Sequence, residues 1–224
     1  MPRRALIDHR PWLLLSLVAG VSYFFVKDDP VGGLWLMLWK GAGVAFLACY
    51  AALRGRGTDG YLITAVMAFG AMGDIALEVS FLAGGGLFAV GHVIAVALYW
   101  RNRRTSPAPS QKQAAWALLV LPPAIAALMT YPVENWQLAT AYSAIVSLMA
   151  ATAWISRFPR YRVGIGAVLF VVSDLLIFAG EAGRLPREFT SLLIWPLYYG
   201  AQFLIATGVV QTLRQRIFQK LEPP

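Results

Sequence analysis

Ala71-Met-Gly-Asp-Ile-Ala-Leu-Glu78 places two carboxylates one helical turn apart inside an apolar run. One hundred residues later, Val171-Val-Ser-Asp-Leu-Leu-Ile177 repeats the theme with one. Asp74 and Asp174 each follow a small residue, in otherwise uncharged segments long enough, or nearly so, to cross a bilayer. An ionisable group at that depth costs about 2.5 to 3.5 kcal/mol on insertion scales, so it usually faces a protein-lined cavity or a partner. Read this way, the two stretches are membrane helices that carry a site, and the fold class is an all-α polytopic membrane protein.

The rest of the composition agrees. The 224-residue chain is 58% hydrophobic and 13% charged, with a mean hydropathy of +0.61, a surface no soluble domain of this size tolerates. Cys49 is the single cysteine and lies in an apolar segment, which excludes a disulfide framework and a thiolate metal cluster.

Residues 1–10 are basic and residues 11–26 apolar, as in a signal peptide. No small-x-small cleavage site precedes Lys27, so the segment reads as a retained first helix. Lys27-Asp-Asp-Pro30 is a turn, and residues 31–53 form a second helix with Lys40 in its interior. The third, 60–83, holds Asp74 and Glu78; Gly84-Gly-Gly86 reads as a tight turn into a short fourth, 87–100, that holds His92. After a polar loop at 101–113 come 114–130, 138–156, 163–180 and 191–211. The expectation is a single transmembrane domain, an eight-helix bundle over residues 1–224. The Gly-Asp and Ser-Asp pairs add a possible parallel four-plus-four repeat, residues 11–100 and 114–211.

Cationic residues orient the bundle. The N-terminus and the second, fourth, sixth and last polar stretches carry fifteen Lys and Arg, the odd-numbered loops three, and Lys40 is the nineteenth. Both termini are therefore expected in the cytoplasm, with the protein integral to a bacterial cytoplasmic membrane. The net charge of +8 is spread over five stretches without interleaved aromatics, which argues against nucleic acid and for contact with anionic lipid head groups. No motif specifies an oligomeric state.

At a rise of about 1.5 Å per residue, Lys40, Asp74, Glu78, His92, Asp174 and the Tyr198 to Gln202 group all lie roughly 8 to 16 Å below the non-cytoplasmic helix ends. Asp74 and Glu78 share a helix face, as do His92 and Tyr99, and as do Trp195, Tyr198 or Tyr199, and Gln202. Plainer readings stand beside a site. The Trp, Tyr and Gln stripe also suits interhelical packing. Lys40 also suits a salt bridge to Asp74 or Asp174 that makes its burial tolerable. His92 also suits a hydrogen-bonded helix contact, and Glu78 an approach to the interface. A catalytic zinc commonly takes two or three histidines; with His9 ahead of the first helix and only His92 in a span, three-His zinc chemistry is excluded. No metal and no cofactor is expected. There is no Gly-x-Ser-x-Gly elbow and no phosphate loop.

Gly73-Asp74-Ile-Ala-Leu77, Phe88-Ala-Val-Gly-His92, Ser173-Asp174 and Tyr198-Tyr-Gly-Ala-Gln202, in this order, resemble the YhhN family of eight-helix membrane proteins. Lys40 falls where that family carries an intramembrane Lys. The resemblance spans helices two to eight. Two positions depart from it: Gly41 follows the Lys where the family usually has Pro, and Ala95 stands three residues after the His where the family often has Tyr. The resemblance implies lysoplasmalogenase activity, hydrolysis of the vinyl ether of a lysoplasmalogen to a fatty aldehyde and a glycerophospho-ethanolamine or -choline. It implies Asp74 and Asp174 as the catalytic pair, with Lys40, His92, Tyr198, Tyr199 and Gln202 as pocket residues; Glu78 joins the substrate-binding candidates by its place on the Asp74 face.

The residues suit that chemistry on their own terms. Vinyl ether hydrolysis needs a proton on the alkene carbon and water on the carbon bearing oxygen. Two carboxylates close together in low dielectric do not easily both ionise, so such a pair shares one proton at neutral pH. One member donates, and the other stabilises the oxocarbenium ion and activates water, as glycosidase carboxylates do. The competing class is a proton-coupled transporter using the same buried groups.

Overall fold

A computed structural model of the chain describes residues 10–28 and 32–221. The basic stretch 1–9 with His9, residues 29–31 of the first turn, and 222–224 lie outside the described residues. The described residues are helical: α1 (Arg10–Val26), α2 (Leu34–Arg54), α3 (Gly57–Leu77), α4 (Phe81–Arg101), α5 (Pro109–Thr130), α6 (Trp136–Trp154), α7 (Ile165–Glu181) and α8 (Arg187–Leu221). A π-helical turn, Arg160–Gly164, leads into α7. Among the described residues the sole strand-like pairing is one antiparallel bridge between Arg103 and Ser156.

Six stretches are long and apolar enough to cross a membrane, in α2, α3, α4, α5, α7 with its π-turn, and α8. Large apolar side chains stand outward, Phe25 at 72% exposure, Trp35 at 75% and Leu128 at 78%. Water would penalise such a surface and lipid does not. The protein is a multi-pass integral membrane protein. The 19-residue α6 is less apolar because it carries Gln137, Thr140, Tyr142, Ser143, Ser147 and Thr152.

The chain divides into two compact units, residues 1–91 with 209–224, and residues 92–208. In the first, α2 packs against both α1 and α3. The Ser16 hydroxyl donates to the Gly43 carbonyl at 2.7 Å, so α1 and α2 approach closely. Gly41 does the same for α2 and α3: a Cβ there would lie 2.6 Å from Ile75 Cγ1 and 3.1 Å from the Ala71 carbonyl oxygen.

In the second unit α5, α6 and α7 pack on one another. At one end the Arg157 amide donates to the Asn102 carbonyl at 2.7 Å and the Arg104 amide to that of Ile155 at 3.0 Å, joining the α4–α5 and α6–α7 loops. At the other end the Arg184 guanidinium donates to the carbonyls of Met129 and Tyr131, at 3.0 and 2.9 Å.

Three sequence expectations change. Gly84, Gly85 and Gly86 are not a turn but lie in α4, which is 21 residues long. The turn comes earlier, where Ser80 Oγ accepts the Ala83 amide at 3.3 Å and so caps the start of α4. The Gly84 backbone then passes so close to Leu77 that a Cβ would meet its side chain at 2.6 Å. The third helix accordingly ends at Leu77, leaving Glu78 as its C-terminal cap. Lastly, the eighth helix, expected over 191–211, runs through 35 residues as α8 and holds Pro196 in its interior.

Candidate active site

The small residue before each aspartate marks the crossing of the next helix. In the first unit the Gly73 backbone abuts the Phe88 ring of α4, which a Cβ would meet at 2.8 Å. In the second, Ser173 Oγ donates to the Ile194 carbonyl of α8 at 3.2 Å. Each contact pins the turn that presents the adjacent carboxylate. Asp74 and Asp174 are 1% and 5% exposed.

In the second unit Asp174 belongs to a connected set. Tyr142 of α6 donates its hydroxyl to Asp174 Oδ2 at 3.1 Å, and the Tyr142 hydroxyl oxygen lies 3.2 Å from His92 Nε2. The His92 ring meets the Phe170 ring edge-on at 4.7 Å, and Phe170 meets Tyr198 at 5.2 Å. Gln202 Nε2 donates to the Tyr198 hydroxyl at 3.2 Å. Asp174, His92, Tyr198 and Gln202 are thus linked by one chain of contacts that runs through Tyr142 and Phe170. Tyr199 instead stacks on Trp195, with ring planes 10° apart, and tilts against Phe203.

The chemistry of this chain follows from donor counting. With Asp174 ionised, Tyr142 donates to it and accepts from a His92 Nε2–H. With Asp174 protonated, every hydrogen bond reverses: the carboxylic acid donates to the phenol, and the phenol to a bare Nε2. One set of heavy-atom positions thus holds the carboxyl group in either protonation state.

In the first unit Lys40 Nζ pairs with Glu78 Oε1 at 2.5 Å. The partner expected for Lys40 was Asp74 or Asp174. Glu78 takes that place because it caps α3 one turn beyond Asp74, where the pair keeps some access to its surroundings: the Lys40 and Glu78 side chains are 16% and 33% exposed. Tyr23 of α1 lies within electrostatic reach of Glu78, Asp74 and Asp28.

Tyr142 and Tyr23 were not singled out from sequence. The signal available for Tyr142 was a phenol among Thr and Ser in α6, a full-length helix that falls short of the apolarity of the six candidate spans. Among the described residues no three His, Cys, Asp or Glu side chains gather where they could hold a metal ion.

A family model described as the YhhN family matches residues 35–209. The chain belongs to the YhhN family. The match covers α2 onward and takes in Lys40, Asp74, Glu78, His92, Tyr142, Asp174, Tyr198, Tyr199 and Gln202, whereas Tyr23 lies ahead of it. Similar to this YhhN protein are two proteins named lysoplasmalogenase, from Mycobacterium bovis and Mycobacterium tuberculosis. Each is 28% identical over 182 residues, covering 76% of this chain and 68% of its own. No solved structure matches this YhhN chain.

Proposed function

We propose that this protein is a lysoplasmalogenase that hydrolyses the vinyl ether of a lysoplasmalogen inside the membrane. The observation that carries the reading is the buried Asp174, hydrogen-bonded through Tyr142 to His92. Membership of the YhhN family and the names of the two mycobacterial relatives support it.

In the proposed reaction a protonated aspartate of the Asp74 and Asp174 pair delivers its proton to the alkene carbon one removed from oxygen. The π electrons form the new C–H bond and leave an oxocarbenium ion. The ionised aspartate stabilises that cation and takes a proton from water as its oxygen bonds to the cationic carbon. The hemiacetal then breaks its bond to the glycerol oxygen, releasing a fatty aldehyde and glycerophospho-ethanolamine or -choline. One water is consumed per turnover, and the pair regains its shared proton. His92 and Tyr142 hold Asp174 through the cycle. Lys40 and Glu78 meet the charged head group, while Tyr198, Tyr199 and Gln202 line the pocket. The termini face the cytoplasm of a bacterial cell, and the two helix quartets, residues 11–100 and 114–211, form a parallel internal repeat.

The test is product analysis by mass spectrometry on the purified protein, given an alkenyl lysolipid and, separately, its acyl and saturated alkyl counterparts. Aldehyde is expected from the alkenyl substrate alone. Asp74→Asn and Asp174→Asn should each lower turnover by about 100-fold or more, the range for acid and base groups. Folded protein that releases no aldehyde from the alkenyl substrate would overturn the activity. Normal turnover in either folded variant would overturn the pair.

A further inference from the structure

Buried polar groups in folded proteins nearly always have a hydrogen-bond partner, so each exception calls for an explanation. In the second unit the hydroxyls of Tyr99, Ser143 and Ser147 and the indole N–H of Trp154 are buried with no partner among the described residues. The serines stand out against the other helix hydroxyls. Thr130, Thr140, Thr152 and Thr207 each donate to the carbonyl four residues back, at 2.6 to 2.9 Å. Ser143 and Ser147, on the same kind of backbone, do not, so their hydroxyls are turned elsewhere.

The four groups occupy one stretch of the unit. Ser143 follows Tyr142, Ser147 lies one turn on, and Trp154 ends α6, a span of about 16 Å from Ser143. Tyr99 sits two turns beyond His92 on the same face of α4, its ring 6.1 Å from that of Phe158. Both helices are tied at both ends of this span, by His92 to Tyr142 above and by the Arg157 amide to the Asn102 carbonyl below. A buried hydroxyl without a protein partner is the ordinary site of an internal water, which makes about three hydrogen bonds.

We propose that a file of internal water runs along α4 and α6 of this unit, held by Ser143, Ser147, Tyr99 and Trp154, and supplies water to the His92, Tyr142 and Asp174 chain. Asp174 lies inside a membrane helix, and a hydrolase there needs a route for the water it consumes. These four are positioning residues. The supply role rests on the vinyl ether reading, and the existence of the file does not.

Two measurements separate them. Radiolytic hydroxyl-radical footprinting in ¹⁸O-labelled water, on the whole protein in detergent micelles, should label Tyr99 and spare Met67 of α3 in the first unit, although both are fully buried; Trp154 is only half-buried and is not used as a reporter. The Ser143→Ala/Ser147→Ala double variant should lower labelling of Tyr99 by about fivefold. Its kcat on the alkenyl substrate should fall about tenfold with KM within about twofold, since supplying water affects the chemical step and not binding. Tyr99→Phe, which keeps the ring, should do the same to a smaller degree. If Tyr99 resists labelling as Met67 does, there is no file, whatever the activity. If Tyr99 is labelled but the folded double variant turns over normally, the supply role falls. Labelling in a wild-type protein that releases no aldehyde upholds the file and removes the hydrolase reading alone.

Discussion

Tyr142 stands between Asp174 and His92, 3.1 Å from one and 3.2 Å from the other, so a single phenol couples a buried carboxyl group to a buried imidazole. Replacing it with Phe keeps the ring against Phe178 and strands both neighbours without their shared partner. Tyr142→Phe is expected to lower kcat by roughly 10- to 100-fold, with KM little changed. The same change should cost about 1 to 3 kcal/mol of stability for the buried groups left unpaired. Aldehyde release and thermal unfolding in detergent measure the two, and an unchanged kcat would remove Tyr142 from the reaction.

The Asp174→Asn and Tyr142→Phe changes should not add. Groups in one hydrogen-bonded chain lose their joint contribution when either is removed, so the double variant should be about as slow as Asp174→Asn alone. Multiplicative losses would mean that the two act independently.

Lys40 and Glu78 form a partly accessible ion pair, which sets its strength between that of an exposed and a buried pair. A double-mutant cycle with Lys40→Met and Glu78→Leu should return a coupling of about 1 to 2 kcal/mol. The exchange Lys40→Glu/Glu78→Lys should recover most of the stability lost in either single reversal. A coupling near zero would mean that the pair does not hold α2 to the end of α3.

Glycines give the most direct test of the helix boundaries. A Cβ on Gly85 or Gly86 meets nothing within 4 Å, so Ala at either position should stabilise α4 by about 0.5 to 1 kcal/mol. At Gly60 the added carbon would stand 2.5 Å from the Gly55 carbonyl carbon, and Ala there should cost about 1 to 3 kcal/mol. Equal destabilisation at all three sites would return residues 84–86 to a turn.

The residues that were legible beforehand, and those that were not, divide along a physical line. A charge in an apolar helix is conspicuous because its desolvation cost makes it rare, and Asp74, Asp174 and Lys40 stood out for that reason. The identity of a partner is a matter of distance. Asp74 and Glu78 lie one turn apart on one face, and only the position of the α3 end decides that Lys40 meets Glu78. Tyr142 had no such mark, since a phenol in a helix with Thr and Ser is ordinary. Three successive glycines read as a turn by propensity, yet Ser80 starts the helix ahead of them and Gly84 is needed for a close crossing over Leu77.

The π-helical turn at Arg160–Gly164 bears on how this chain is compared with others. Such a turn holds one residue more than the α-turn it replaces, and that extra residue rotates everything after it by about 100°. The direction in which Asp174 leaves α7 therefore depends on chain length ten residues upstream. A relative that keeps α geometry there needs one residue fewer between its loop and its aspartate to aim that side chain the same way. An alignment of the two belongs with its gap inside residues 160–164, and one that closes the gap elsewhere superposes the names of residues but not their directions.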